Sequence, residues 1–166
     1  MASVISVIQN SGQSYGGSAK EVAKNVSYLI SADDAAAGKV ANPLVIPNSG
    51  INYSYEVWIR CRCDLAPFTL VQNFKVWYVS GVPSGFTLTV NSDIVDTYQA
   101  PVNLLSSQGT RVDFTTKNSE GDSIALDGTL IDVGDYTSWL VFQLQVSSTA
   151  APGLGAVDYI IQYDEY

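Results

Sequence analysis

Asn52–Asp64 reads NYSYEVWIRCRCD, and its spacing decides the fold class. Taken alternately it separates into an apolar row, Tyr53, Tyr55, Val57, Ile59, Cys61 and Cys63, and a row of Ser54, Glu56, Trp58, Arg60, Arg62 and Asp64. A period of two marks a β-strand with one face on a core and the other turned away from it. One long strand is expected here, and the Trp58, Arg60 and Arg62 row is its candidate interface face.

Similar segments flank it. Ala66-Pro67 ends the strand, and Phe68–Ser80 resumes as LVQNFKVWYVS (Leu70–Ser80), with Phe74, Val76 and Tyr78 opposed to Lys75, Trp77 and Val79. Both of its faces are apolar, which predicts a central strand. Gly81–Gly85 is a turn, Phe86–Asn91 (FTLTVN) a strand, and Asp93–Leu105 a mixed segment around Pro101. Arg111–Thr116, Ile124–Ile131, Ser138–Ser147 and Val157–Tyr163 are further candidate strands, with Gly, Asn, Asp and Ser in the gaps.

Upstream, Pro43–Pro47 reads as a short edge strand between prolines, Asn48-Ser-Gly50 as a turn, and Asp33–Gly38 as one helical turn closed by glycine. Ser18–Glu21 carries a capping-box pattern, but the following apolar positions last barely two turns, which suits either a short helix or a strand over Asn25–Ser31, the strand being favoured. Ala2–Gly17 is small, polar and Gly/Ser-rich around SVISVI, and is expected to be an arm whose Val4, Ile5, Val7 and Ile8 add to a neighbour's sheet. These elements predict an all-β chain: an extended arm over 1–24 and one antiparallel β-sandwich, jelly-roll or immunoglobulin-like, over 25–166.

Composition agrees. The 166 residues suit a single domain, and 46% apolar with only 14% charged residues is a strand-forming balance. Residues 1–83 hold six Lys/Arg and five Asp/Glu, whereas 84–166 hold two and eleven, so the second half is strongly acidic. Such a chain repels polyanions and lacks a basic run, which argues against direct nucleic-acid binding and for a cationic or mixed-charge protein partner. The N-terminus has no positive leader and no stretch approaches the roughly 20 apolar residues of a membrane span, so a cytoplasmic site of synthesis and no membrane partner are expected.

Candidate chemistry is sparse. The absence of histidine removes every Ser-His and Cys-His arrangement. Cys61 and Cys63, two apart on one strand, place their Cα atoms about 6.5 to 7 Å apart, at the limit for a disulfide, so two buried free thiols are expected. With no His and no second Cys pair, structural zinc is not expected. Carboxylates able to form a glycosidase pair are Glu56, Asp113, Glu120 and Glu165, and Asp122, Asp127, Asp132 and Asp135 could hold calcium, though acidic turns are the ordinary reading. Trp58 among Glu56, Arg60 and Arg62 is read either as buried or as an interface anchor or sugar platform. No enzymatic activity, cofactor or metal is expected.

The run Ile30-Ser-Ala-Asp-Asp34, Pro43–Pro47, Asn52-Tyr-Ser-Tyr-Glu56 with Trp58-Ile59-Arg60, and Asn73-Phe-Lys-Val-Trp77 resembles small virion structural proteins of tailed bacteriophages. Leu140–Thr149, Pro152-Gly153 and Tyr163-Asp164-Glu165 extend the resemblance over about Asn25 to Tyr166. It implies a viral structural protein of the capsid's outer surface, a decoration or cement protein that binds the major capsid protein as a homo-oligomer. The competing expectations are a tail, neck or fibre-associated module binding host-surface glycans, and a virion-associated hydrolase using two carboxylates.

Overall fold

The structure, a computed structural model, describes residues 3–11, 20–23, 43–66, 69–152 and 155–166. The strands among these residues are β1 (Val4–Ser11), β2 (Lys20–Ala23), β3 (Ile51–Tyr53), β4 (Val57–Leu65), β5 (Val71–Ser80), β6 (Phe86–Asn91), β7 (Arg111–Asp113), β8 (Ile124–Leu126), β9 (Leu140–Ser147) and β10 (Asp158–Glu165). Two 3-10 turns, Phe114–Thr116 and Glu120–Asp122, lie between β7 and β8. The larger sheet has seven strands in the order β2-β1-β4-β9-β6-β7, with β3 also on β9; the smaller has three, β10-β5-β8. Every ladder is antiparallel. The expected all-β sandwich is therefore the fold.

The core forms where the alternating rows of the two sheets meet. Val57, Ile59, Cys61 and Cys63 of β4 join Leu88 and Val90 of β6 and Leu140 and Phe142 of β9 from one side, and Val71, Phe74 and Val76 of β5 with Ile124 and Leu126 of β8 from the other. Phe114, on the first 3-10 turn, stacks edge-on against Phe142 at 5.1 Å and Tyr78 at 6.0 Å. Aromatic pairs of this kind contribute about 0.5–1.5 kcal/mol beyond the area they bury. Both cysteines are free and buried within this cluster, as expected. Burial pushes the Cys61 thiol up to about 12 and also raises that of Cys63, so both are neutral.

The chain passes from β5 in the small sheet to β6 in the large one through Gly81–Gly85. Gly81 has φ 108, and a Cβ there would lie 1.7 Å from the Ala156 carbonyl oxygen, so only glycine lets the start of β10 close against this turn. A second tie joins the sheets at the opposite end of β10, where the Ser3 N–H donates to Glu165 Oε1 at 2.6 Å.

Several expectations are corrected. The Asn52–Asp64 stretch is two strands, not one: β3 pairs with the end of β9 (Ile51 opposite Ser147) and β4 with its start (Val57 opposite Phe142). Between them Ser54 replaces a ladder carbonyl with its hydroxyl, which accepts the Leu144 N–H at 3.0 Å, while the Glu56 N–H turns to the Val102 carbonyl at 3.1 Å. Pro43–Pro47 forms no strand. Arg111–Thr116 and Ile124–Ile131 shorten to β7 and β8, since Asp113 caps a 3-10 turn by accepting from Thr115 and the chain leaves the ladder after Leu126. Lys20 and Glu21, in the capping-box pattern, belong to β2. The expected strand Asn25–Ser31 and helical turn Asp33–Gly38 lie outside the described residues.

The arm is corrected too. Val4–Asn10 pairs with Trp58–Leu65 of the same chain, so β1 is part of the large sheet and not a tail reserved for a neighbour. The reason is its own alternation: Ile5 and Val7, opposite Cys63 and Cys61, pack on the shared core, and Ile8 is fully buried. β5, in contrast, is central in its sheet as expected.

Candidate functional site

The face of the large sheet turned away from the shared core carries the polar row of β4 and its neighbours. Antiparallel pairing puts Trp58 beside Val141, Thr89 beside Gln143, and Asn91 beside Arg111 on this one face. The segment between β6 and β7, residues 92–110, lies across it.

Trp58 is completely buried, which bears out the first of its two readings and overturns the second, that of an exposed interface anchor or sugar platform. It forms a second small core with Trp139 and Val141, closed by Val95 and Tyr98 from the 92–110 segment. The three rings meet edge-on or tilted, Trp58 to Tyr98 at 5.2 Å, Trp58 to Trp139 at 5.9 Å and Tyr98 to Trp139 at 5.5 Å. The indole N–H donates to Glu56 Oε2 at 3.1 Å, so the polar end of the ring is satisfied as burial requires.

Arg60 stacks its guanidinium over Tyr136 at 3.5 Å and over Trp139 at 4.2 Å, a cation–π arrangement that only a planar cation makes well. Arg62 is half-buried and pairs with Asp64 at 2.7 Å. Arg60 and Arg62 are thus engaged within the chain. Of the N-terminal set, Val4 is half exposed, Ile5 and Val7 partly buried, and Ile8 buried.

Buried amides fix the overlying segment. Gln143 is fully buried and gives its Nε2 hydrogens to the carbonyls of Ser54 at 3.0 Å and Leu104 at 2.6 Å, while its Oε1 accepts the Ser106 N–H at 2.9 Å. Asn91 accepts the Val141 N–H at 2.6 Å and donates to the carbonyls of Asp93 at 2.8 Å and Trp139 at 3.1 Å. Arg111 donates to the carbonyls of Val141 at 2.7 Å and Thr89 at 2.9 Å. Burial pushes the Arg111 guanidinium down to about 10, and the negative charge of Glu56 partly offsets this.

The result is a long loop with few of its backbone groups left to chance. Its outward side presents Val102 at 40%, Leu104 at 71% and Leu105 at 59% exposure. Residues 97–110 include no charged side chain, and the exposed or half-buried Gln99, Asn103, Ser107 and Gln108 are polar members of the same segment. An uncharged apolar centre with a polar rim is how protein–protein contacts are built.

The carboxylates considered for catalysis have separate tasks. Glu56 binds Trp58, Asp113 caps the 3-10 turn, Glu120 pairs with Lys75 at 2.7 Å, and Glu165 holds the Ser3 N–H. The acidic turn residues are likewise distributed: Asp135 accepts the Ile131 and Asp132 N–H groups, and Asp122 accepts from Ser119. Among the described residues no three potential ligands gather around a metal position, and no helix is long and apolar enough to cross a membrane.

Sequence reasoning missed Gln143, Asn91 and Arg111. The available signal was polar residues at the outward positions of apolar strands, Asn91 closing FTLTVN and Gln143 within LVFQLQVS. Compared with protein-family models, with characterised proteins and with solved structures, the chain matches none.

Proposed function

We propose that the chain is a non-enzymatic structural protein of a tailed-phage virion, a decoration or cement protein that binds the major capsid protein on the outer surface of the head. The observation that carries this reading is the clamped loop. The buried Gln143 and Asn91 hold residues 92–110 in place, and the loop offers Leu104 and Leu105 to solvent. A contact surface fixed before binding loses little conformational entropy on docking. The resemblance to small virion proteins gives the partner.

A decoration protein repeats with the lattice it covers, and homo-oligomeric display turns a modest contact into high avidity. The reading as a tail module binding host glycans through Trp58 loses its platform, since that ring is covered. The test is copy number and location: quantitative mass spectrometry and electron microscopy of purified particles should find the chain on the head, in proportion to the major capsid protein. Its restriction to the tail, or a few copies per particle, would remove the proposal.

A further inference from the structure

The small sheet is interrupted between β5 and β8. Their ladder runs from Val76 opposite Ile124 to Phe74 opposite Leu126, then stops, and resumes only at Val71 and Leu130, which exchange both backbone hydrogen bonds at 2.8 and 2.9 Å. Gln72 and Asn73 on one side and Asp127, Gly128 and Thr129 on the other bow apart. The gap belongs to an open groove of about 480 Å³, within the roughly 300–1,000 Å³ range of small-molecule sites.

Both walls are held open by built features. On β5 a bulge sets Asn73 and Phe74 against one residue of β10, Asn73 takes φ 58, and its Nδ2 donates to Asp164 Oδ2 at 2.8 Å. On the other wall Asp127 is drawn away from β5 by Ser138, whose Oγ accepts the Asp127 N–H at 2.9 Å and whose N–H returns to the Asp127 carbonyl at 2.7 Å. Gly128 follows at φ 141, and a Cβ there would stand 2.9 Å from Thr137 Cα. This wall presses on the chain behind it and cannot be replaced by a bulkier residue without moving.

The side chains of Gln72, Asp127 and Thr129 make no hydrogen bond among the described residues, and Ile94 adds an aliphatic surface that is 58% exposed. An amide, a carboxylate and a hydroxyl beside one apolar patch match a ring whose hydroxyls both donate and accept and whose C–H face is apolar. The charge narrows the class. Asp127 and Asp164 line the groove, and Lys75, its only cation among the described residues, is already paired with Glu120. We infer that the gap between β5 and β8 is a binding site for a neutral saccharide and rejects sialylated or uronic sugars. This goes beyond capsid attachment and uses residues other than the Val102–Leu105 crest.

The experiment is an amide NMR titration of the full chain with neutral oligosaccharides of glucose, galactose, mannose and N-acetylglucosamine, in parallel with sialyllactose and an oligolysine peptide. At least one neutral sugar should shift the amides of residues 72–75 and 126–129 at millimolar concentration. Sialyllactose should bind about tenfold or more weakly, and Asp127→Ala and Gln72→Ala should each weaken the neutral sugar by about tenfold with an unchanged melting temperature. No shift with any of the neutral sugars, shifts confined to other residues, or shifts from oligolysine alone would overturn the assignment. So would wild-type affinity in both variants.

Discussion

Gln143 and Ser106 meet across the outer face of the large sheet: the buried Oε1 of Gln143, on β9, accepts the Ser106 N–H from the loop between β6 and β7 at 2.9 Å. With its Nε2 on the Ser54 and Leu104 carbonyls, the same amide joins three separate segments. Replacing it with a methyl leaves one buried N–H and at least two carbonyls without their partner. Each unsatisfied group costs about 1–3 kcal/mol, so Gln143→Ala should destabilise the fold by about 3 kcal/mol or more in urea unfolding and speed hydrogen exchange at Ser106. A loss below about 0.5 kcal/mol would show that the loop is held by something else.

Trp58 and Arg60 should behave as parts of the fold. Trp58→Ala is expected to cost about 3–5 kcal/mol, in line with truncating a large core aromatic. Arg60→Lys keeps the charge but loses the planar stack on Tyr136 and Trp139 and should cost about 1 kcal/mol. Thermal melts read both. An unchanged melt for Trp58→Ala would contradict its burial.

How much of this could be read from the chain varies by element. The β4 rows were legible because alternation is a local property, and Phe86–Asn91 coincides with β6 for the same reason. The division at Ser54–Glu56 was not, since it depends on Ser54 answering Leu144, a partner 90 residues away. SVISVI was legible as strand-forming, but nothing local says whether β1 pairs with its own β4 or with another chain. The aromatic core escaped notice because Trp58, Tyr98 and Trp139 come from three distant segments, and Trp58 stands among charges in sequence. Register and loop cover are tertiary properties.

Since β1 is integral, its loss should be felt by the monomer. Ile8→Ala is expected to cost about 2–5 kcal/mol, the range for a fully buried aliphatic side chain. Deleting residues 1–11 should cost more and lower the melting temperature even at high dilution. A truncated chain that melts like the intact one would return β1 to the role of an accessory arm.

Alkaline stability provides a test of the buried thiol. In the fold Cys61 holds its proton up to about 12, against 9.0 for an ordinary thiol. Above pH 9 the unfolded chain therefore loses a proton that the folded chain keeps, and stability falls as pH rises from 9 towards 12. Three pKa units correspond to at most about 4 kcal/mol at the top of that window. Under reducing conditions Cys61→Val should make the decline between pH 9 and 11 shallower, leaving the contributions of Cys63, whose thiol is also raised by burial, and of Tyr159, whose hydroxyl burial pushes up to about 12. Equal slopes for the two proteins would contradict a protected Cys61.

The capsid-binding proposal rests on the exposed crest of the clamped loop, and the decisive measurement is binding of the Leu104→Ser, Leu105→Ser double variant to shells of the major capsid protein lacking this chain. Both side chains point to solvent, so the melt should stay within about 0.5 kcal/mol of the wild type, while cosedimentation with the shells should weaken by about 2 kcal/mol or more. Wild-type binding by a folded double variant would show that the crest is not the contact.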